Sequence, residues 1–289
     1  MQVLKPFDPW KSSLCSCPPK YGLSPYTGCS HGCRYCYASS YIPRFSQPRP
    51  KKDFLARLEK DLARLPSGTT VTMANSSDPY LPAERSLQLT RQTLRRFVSA
   101  EVRLMIVTKS DLILRDLDVL SQCPQVVVAI SISTLDPAVA ALLEPRAPAP
   151  EARLAAMRTL SGSIPVLCRL DPLIFPLTTR DLQETVRVIA ACGARHIVSS
   201  TYKTRPDNFR RMCAVFPEYA AYWQDLYPRR IRKRSGSRYL AEDLRRELLQ
   251  QVRAAALAEG LDFSTCREGF TEMHTAECDG RALFSSAAS

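Results

Sequence analysis

Cys29, Cys33 and Cys36 lie in one short glycine-punctuated stretch, GCSHGCRYCYA (28–38), with C-x3-C-x2-C spacing. Three thiols this close cannot pair as disulfides without leaving an odd one. They can face one soft metal centre, and sulfur ligands suit zinc or an iron–sulfur cluster. Gly28 and Gly32 permit the tight turns of a loop that wraps such a centre. A structural zinc site closes with a fourth Cys or His. His31 sits inside the spacing, awkwardly placed to reach the same metal. Three cysteines therefore suggest a four-iron [4Fe-4S] cluster with one iron left open.

The elements that must position this loop follow from periodicity. Residues 1–50 are rich in Pro, Cys, Tyr and Ser and read as loop, with one strand near Tyr21–Ser24. Apolar residues at helical spacing predict helices over 51–65, 86–98, 111–121, 136–143, 151–160 and 179–192. Short apolar runs predict strands over 69–75, 102–108, 126–132, 164–170 and 196–200. Strands alternating with helices imply parallel pairing and right-handed crossovers. The expected fold class is α/β, a partial (β/α)6 TIM-like barrel, with a doubly wound sheet as the alternative. After residue 205 a mainly helical extension is expected, with helices over 206–226 and 240–259 and a terminal loop. The division is 1–19, an N-terminal segment with C-x-C; 20–205, the barrel core; and 206–289, the extension.

In parallel α/β folds ligands gather at the C-terminal ends of strands. Asn75, Ser76, Ser77 and Asp78 follow the second strand, Lys109 and Ser110 the third, and Ser131 and Ser133 end the fourth. These groups can converge on one zwitterionic nucleotide-like ligand, Lys109 suiting a carboxylate and the serines hydroxyls or an amine. Arg146 is a further candidate. Arg169, Asp171, Lys203 and Arg205 follow later strands and could face a substrate opening.

The triad, with an aromatic residue (Tyr35) before its last cysteine, resembles the signature of radical S-adenosylmethionine (SAM) enzymes. The text SPYTGCSHGCRYCYA resembles the spore photoproduct lyase-like group, often labelled DNA repair photolyase-like. The likeness continues through NSSDPYLPAE (75–84), VTKSDLILRDLDVL (107–120), AISISTLD (129–136), LEPRAPAPEARL (143–154) and DPLIFPL (171–177), and covers roughly residues 20–200. The resemblance implies a [4Fe-4S] cluster on Cys29, Cys33 and Cys36, and SAM held at the open iron. It implies reductive cleavage of SAM to a 5′-deoxyadenosyl radical that takes hydrogen from a substrate. Ser77, Lys109 and Ser131 match the lyase's SAM-contacting positions, and Tyr35 and Tyr37 match its paired tyrosines. The lyase's hydrogen-donating cysteine is replaced here by Asn75, whose amide cannot donate a hydrogen atom as a thiol can. Thymine-dimer reversal is therefore not expected. An electron donor such as a flavodoxin or ferredoxin is implied by the family alone.

A second metal site is suggested by Cys15 and Cys17 (LCSCPPKY) with Cys266 and Cys278 (TCREGFTEMHTAECDG). If the terminal loop folds back over the barrel mouth, these four thiols could hold zinc or another iron–sulfur cluster. His274 is an alternative ligand. Cys123, Cys168, Cys192 and Cys213 lie in or beside apolar segments and are expected in the core, and His196 is expected to be structural.

The chain has 289 residues, 45% hydrophobic and 24% charged, which rules out wholesale disorder. No run approaches the roughly 20 apolar residues of a membrane helix, and the first residues lack a signal-peptide pattern. A soluble cytoplasmic protein is expected, in which eleven cysteines stay reduced. The net charge is +12, carried by 31 Arg against 9 Lys. Arginine surplus suits phosphate, and the basic run RRIRKRSGSR (229–238) could track a nucleic-acid backbone. A solvated basic surface is the alternative. The rival functional readings are a zinc- or cluster-loaded nucleic-acid-binding protein without SAM chemistry, and a radical enzyme acting on a peptide or small molecule.

Overall fold

The structure, a computed structural model, describes residues 2–7, 12–74, 76–228 and 236–284. Asn75 and residues 229–235, the greater part of the basic run, lie outside the described residues.

Among the described residues the main sheet has eight strands. In chain order the strands are β1 (Lys5–Pro6), β2 (Tyr21–Leu23), β3 (Tyr26–Thr27), β4 (Arg49–Pro50), β5 (Thr70–Met73), β6 (Arg103–Thr108), β7 (Val126–Ile132), β8 (Val166–Leu173), β9 (Ala194–Thr201) and β10 (Asp262–Thr265). The sheet order is β1-β2-β5-β6-β7-β8-β9-β10, and β3 pairs separately with β4. All neighbours from β2 to β10 run parallel, while β1 closes one edge antiparallel. Among the described residues the first and last strands do not pair, so the barrel is open, as expected of a partial TIM-like fold.

The six expected strands are present. The seventh parallel strand, β10, falls in the segment read as terminal loop. It registers Asp262 against His196 and Thr265 against Ser199. Four residues, DFST, carry too little apolar pattern to announce a strand alone; pairing with β9 and the packing of Phe263 supply the stability. The expected helix 206–226 is divided into Pro206–Val215, Pro217–Tyr219 and Ala220–Leu226. Pro217 lacks the amide that a continuous helix needs. The 111–121 segment is a 3-10 turn, Asp111–Asp116, followed by a short helix, Leu117–Leu120.

Strand alternation separates two cores. One face packs on the helices through Leu104, Ile106, Val126, Val128, Ile130 and Val166. The other face, inside the barrel, holds Met105, Val127, Ala129, Leu167 and Val198, plugged by Cys278, Leu283 and Phe284. The terminal segment thus enters the barrel interior rather than lying over its mouth. Gly280, at φ +69°, makes this possible: a Cβ there would stand 2.8 Å from Leu167. Cys168, Cys192 and Cys123 are buried in the core as expected, and Cys213 packs at its edge. Among the described residues no helix is long and apolar enough to cross a membrane.

Candidate active site

Each inward-facing strand row changes character toward its C-terminal end. Met105 leads to Val107 and Lys109, Val127 and Ala129 to Ser131, Leu167 to Arg169 and Asp171, and Val198 to Ser200. The deep residues of each row fill the apolar plug, and the later ones line one pocket together with Cys29, Cys33, Cys36, Tyr35 and Tyr37. Strand geometry alone thus sets polar groups from four strands beside three thiols.

The thiol loop leaves β3 and is braced from three sides. The Cys29 amide donates to the Phe45 carbonyl at 2.7 Å, and Arg34 N to Leu143 O at 2.8 Å. Asn208 Nδ2 donates to Tyr35 O at 2.8 Å, and Arg211 Nη2 to Cys36 O at 2.8 Å. Gly28 has φ +87°, and a Cβ there would lie 2.6 Å from Phe45 O, so this turn requires glycine. Burial is the main cause that raises all three thiols; Cys29 is pushed up to about 12, with the Asp78 carboxylate adding to the effect. A buried thiol stays protonated until a metal offers it compensating charge. Among the described residues no three Cys, His, Asp or Glu side chains converge on one ion position.

Two buried carboxylates organise the walls. Glu144 accepts from Tyr35 Oη, from Ser133 Oγ at 3.0 Å, and pairs with Lys109 Nζ at 3.2 Å and Arg153 Nη2 at 2.5 Å. Burial would raise its pKa, but Lys109 and Arg153 overcome this and hold it at about 2. Asp78 accepts from Thr108 Oγ1, the Lys109 amide and the Tyr80 amide, and lies 3.2 Å from His31 Nε2. Burial opposes its ionisation, yet His31 and these donors keep its pKa below the ordinary value. Asp78 therefore ties the thiol loop to the ends of β5 and β6.

The sequence-derived candidates are placed as follows. Tyr35, Tyr37, Ser77, Lys109 and Ser131 all line the pocket. The Ser77 hydroxyl donates to Tyr26 O at 2.9 Å. The Lys109 ammonium, with three protons, keeps donors free of Glu144 for a ligand. Tyr37 is pushed up to about 12, chiefly by burial, and Arg267 Nη1 reaches its hydroxyl at 3.3 Å. Arg146 is not brought into this pocket. It lines a groove on the outer side of the thiol loop with Arg34, Arg44 and Arg211, held there by Arg146 N to His31 O at 3.1 Å. Arg169 pairs with Asp171 at 2.8 Å and Lys203 with Glu268 at 3.0 Å, all but Glu268 lining the pocket. Arg205 faces outward, over the Tyr41 ring. His196 is buried, its Nε2 2.8 Å from Ser264 Oγ, a structural position. Glu144, Arg153, Arg267 and Glu268 escaped the sequence reading. Each is a charged residue in a loop or helix whose role depends on a partner distant in the chain.

Cys17 and Cys278 meet with Sγ atoms 3.4 Å apart. Cys15 lies two residues before Cys17 in the same loop, and Cys17 and Cys266 pack against the buried cluster that contains Cys278. His274 Nε2 is instead 2.7 Å from Thr265 Oγ1.

Among curated proteins, the chain is 34% identical over 202 residues to an uncharacterized protein of Acidianus two-tailed virus, covering 63% of this chain and 66% of that one. It is 30% identical over 164 residues to an uncharacterized protein of Methanocaldococcus jannaschii, covering 55% and 61%. The matches thus span just under two thirds of those relatives' lengths. Among solved structures, a spore photoproduct lyase mutant with bound AdoMet and dinucleoside spore photoproduct superposes with TM-score 0.71 at 19% identity, covering 88% of this chain and 78% of that one. SuiB of Streptococcus suis bound to S-adenosylmethionine gives 0.57 at 17%, covering 89% and 53%. These two likenesses concern the fold. The family model described as the radical SAM superfamily matches residues 23–189, more than half of the sequence, and the chain belongs to that superfamily.

Proposed function

We propose that this chain is a radical SAM enzyme whose [4Fe-4S] cluster is held by Cys29, Cys33 and Cys36. The observation that carries the reading is one pocket lined by three thiols of a single braced loop and by the polar strand ends. When bound, the cluster and SAM supply one-electron cleavage of a sulfonium carbon–sulfur bond, giving methionine and a carbon radical that takes hydrogen from a substrate. The protein's own part is binding and exclusion. Lys109 offers an ammonium to the carboxylate of SAM, with Glu144 fixing its position. Ser131 and the wall at Ser76 and Ser77 offer hydroxyls to the ribose and amino group. Tyr35, anchored on Glu144, walls the pocket behind Cys36, and Tyr37 stands on the side of Arg267.

Anaerobic reconstitution tests this. The wild type should take up about four irons per chain and release 5′-deoxyadenosine and methionine from SAM on reduction with dithionite. A Cys29/Cys33/Cys36→Ala variant should do neither. Zinc without iron in the wild type, or SAM cleavage that survives in the variant, would defeat the reading.

An acidic flavodoxin- or ferredoxin-like donor fits the outer groove, where Arg34, Arg44, Arg146 and Arg211 surround the backs of the three cysteines. Arg44→Glu should slow donor-driven SAM cleavage and weaken its salt dependence, and leave dithionite-driven cleavage unchanged. Equal slowing of both would remove the groove from the account.

A nucleic-acid substrate is a second reading. It is favoured by the basic run 229–238 and by the dinucleoside bound in the lyase neighbour. Reversing the charges of 229–238 should then lower DNA or RNA affinity and flatten its dependence on salt. Unchanged affinity would leave a peptide or small molecule as the substrate class.

A further inference from the structure

Eleven cysteines are more than the cluster loop and the core use. Three segments far apart in sequence bring four of the others together. Cys15 and Cys17 come from the N-terminal loop, Cys266 from the end of β10, and Cys278 from the plug. Leu14 touches the loop after Cys266, since a Cβ on Gly269 would stand 2.8 Å from the Leu14 side chain. Cys278 is fixed by the segment that fills the barrel, against which Cys17 and Cys266 also pack. The group is thus held by the fold on both sides.

The sulfur spacing is informative. Cys17 and Cys278 Sγ stand 3.4 Å apart, far beyond the roughly 2.05 Å of a disulfide. Two thiolates on one tetrahedral metal, each about 2.3 Å from it, stand about 3.8 Å apart.

We propose that Cys15, Cys17, Cys266 and Cys278 form a second thiolate-ligated metal centre, holding zinc or an iron–sulfur cluster, beneath the SAM pocket. As the side chains stand, no three of them converge on one ion position. Cys15 and Cys266, both only partly buried, therefore turn inward on binding or hold a second metal atom. Cys266 also lines the SAM pocket, so this centre adjoins the first. The assignment does not depend on the SAM chemistry.

The test is metal and sulfide content of full-length protein purified anaerobically, before and after reconstitution with iron and sulfide. Three proteins are compared: wild type, the Cys29/Cys33/Cys36→Ala variant, and that variant with Cys17→Ser and Cys278→Ser added. The triple variant should keep about one zinc, or about two to four irons with matching sulfide, per chain. The fivefold variant should lose it. Zinc as isolated identifies a structural site, and iron with sulfide a cluster. A triple variant with no more metal than the fivefold one overturns the proposal, whether its thiols are free or oxidised. X-ray absorption on the triple variant guards against misfolding of the fivefold one: sulfur-only ligation at about 2.3 Å supports the site, and nitrogen or oxygen ligation overturns it. Four irons in the wild type, none in the triple variant and no zinc in either would sink this centre and leave the SAM reading standing.

Discussion

Glu144→Gln isolates the charge that organises the pocket wall. The substitution keeps size and acceptor capacity and removes the anion that faces Lys109 and Arg153. Arg153 is 2% exposed, so water cannot replace its partner. The Glu144 pKa falls from an ordinary 4.5 to about 2 in the fold. At about 1.36 kcal/mol per unit, the charged form is favoured by about 3 kcal/mol, which agrees with the roughly 3–5 kcal/mol for breaking a buried pair from one side. The sign follows from linkage. The unfolded chain binds the proton more readily between pH 4.5 and 2, so the contribution is full above 4.5 and is lost as pH falls to 2. Urea titration of metal-free wild type and variant at pH 7, followed by the fluorescence of buried Trp223, should show a midpoint lower by about 1 M, given a slope near 3 kcal/mol/M. The gap should close as pH falls toward 2. Adding Arg153→Met should recover about 1 kcal/mol or more, because the stranded cation is gone. A variant within about 0.5 kcal/mol of wild type at pH 7, or a gap that ignores pH, would refute the view of Glu144 as a buried, charge-holding hub.

Gly28→Ala should prevent the proposed cluster on Cys29, Cys33 and Cys36 from loading, since φ +87° and a 2.6 Å approach to Phe45 O leave no room for a Cβ; iron content on reconstitution checks this, and full loading would show that the loop has another conformation. His196, buried and held down to about 4 chiefly by desolvation, stays neutral in the fold while the unfolded chain protonates near 6.5. Stability should therefore fall as pH drops from 6.5 to 4, by about 3 kcal/mol in all, and a His196→Gln variant should lack this slope in denaturation measured across that range. Asp78→Ala removes the acceptor of the Lys109 amide, Thr108 and the Tyr80 amide. It should cost about 3 kcal/mol or more and loosen the SAM contact proposed for Lys109, readable as a raised SAM Kd in equilibrium dialysis.

Three cysteines with one spacing and three strand ends with polar residues are local facts, so the sequence alone determined the thiol loop, the parallel α/β order and most of the pocket's rim. The alternation along each strand even foretells which residues look inward. The tertiary structure decided what depends on partners far along the chain. DFST becomes a strand only because β9 offers its edge. Lys109 meets Glu144 across 35 positions of sequence and is fixed by it, whereas Arg146, two residues after Glu144, is turned to the outer groove. The terminal segment carries Cys278 inside the barrel because Gly280 lets its backbone approach Leu167. Spacing encodes which groups can share a loop or a strand face. Burial, pairing and the meeting of distant thiols are set by packing, which no local window contains.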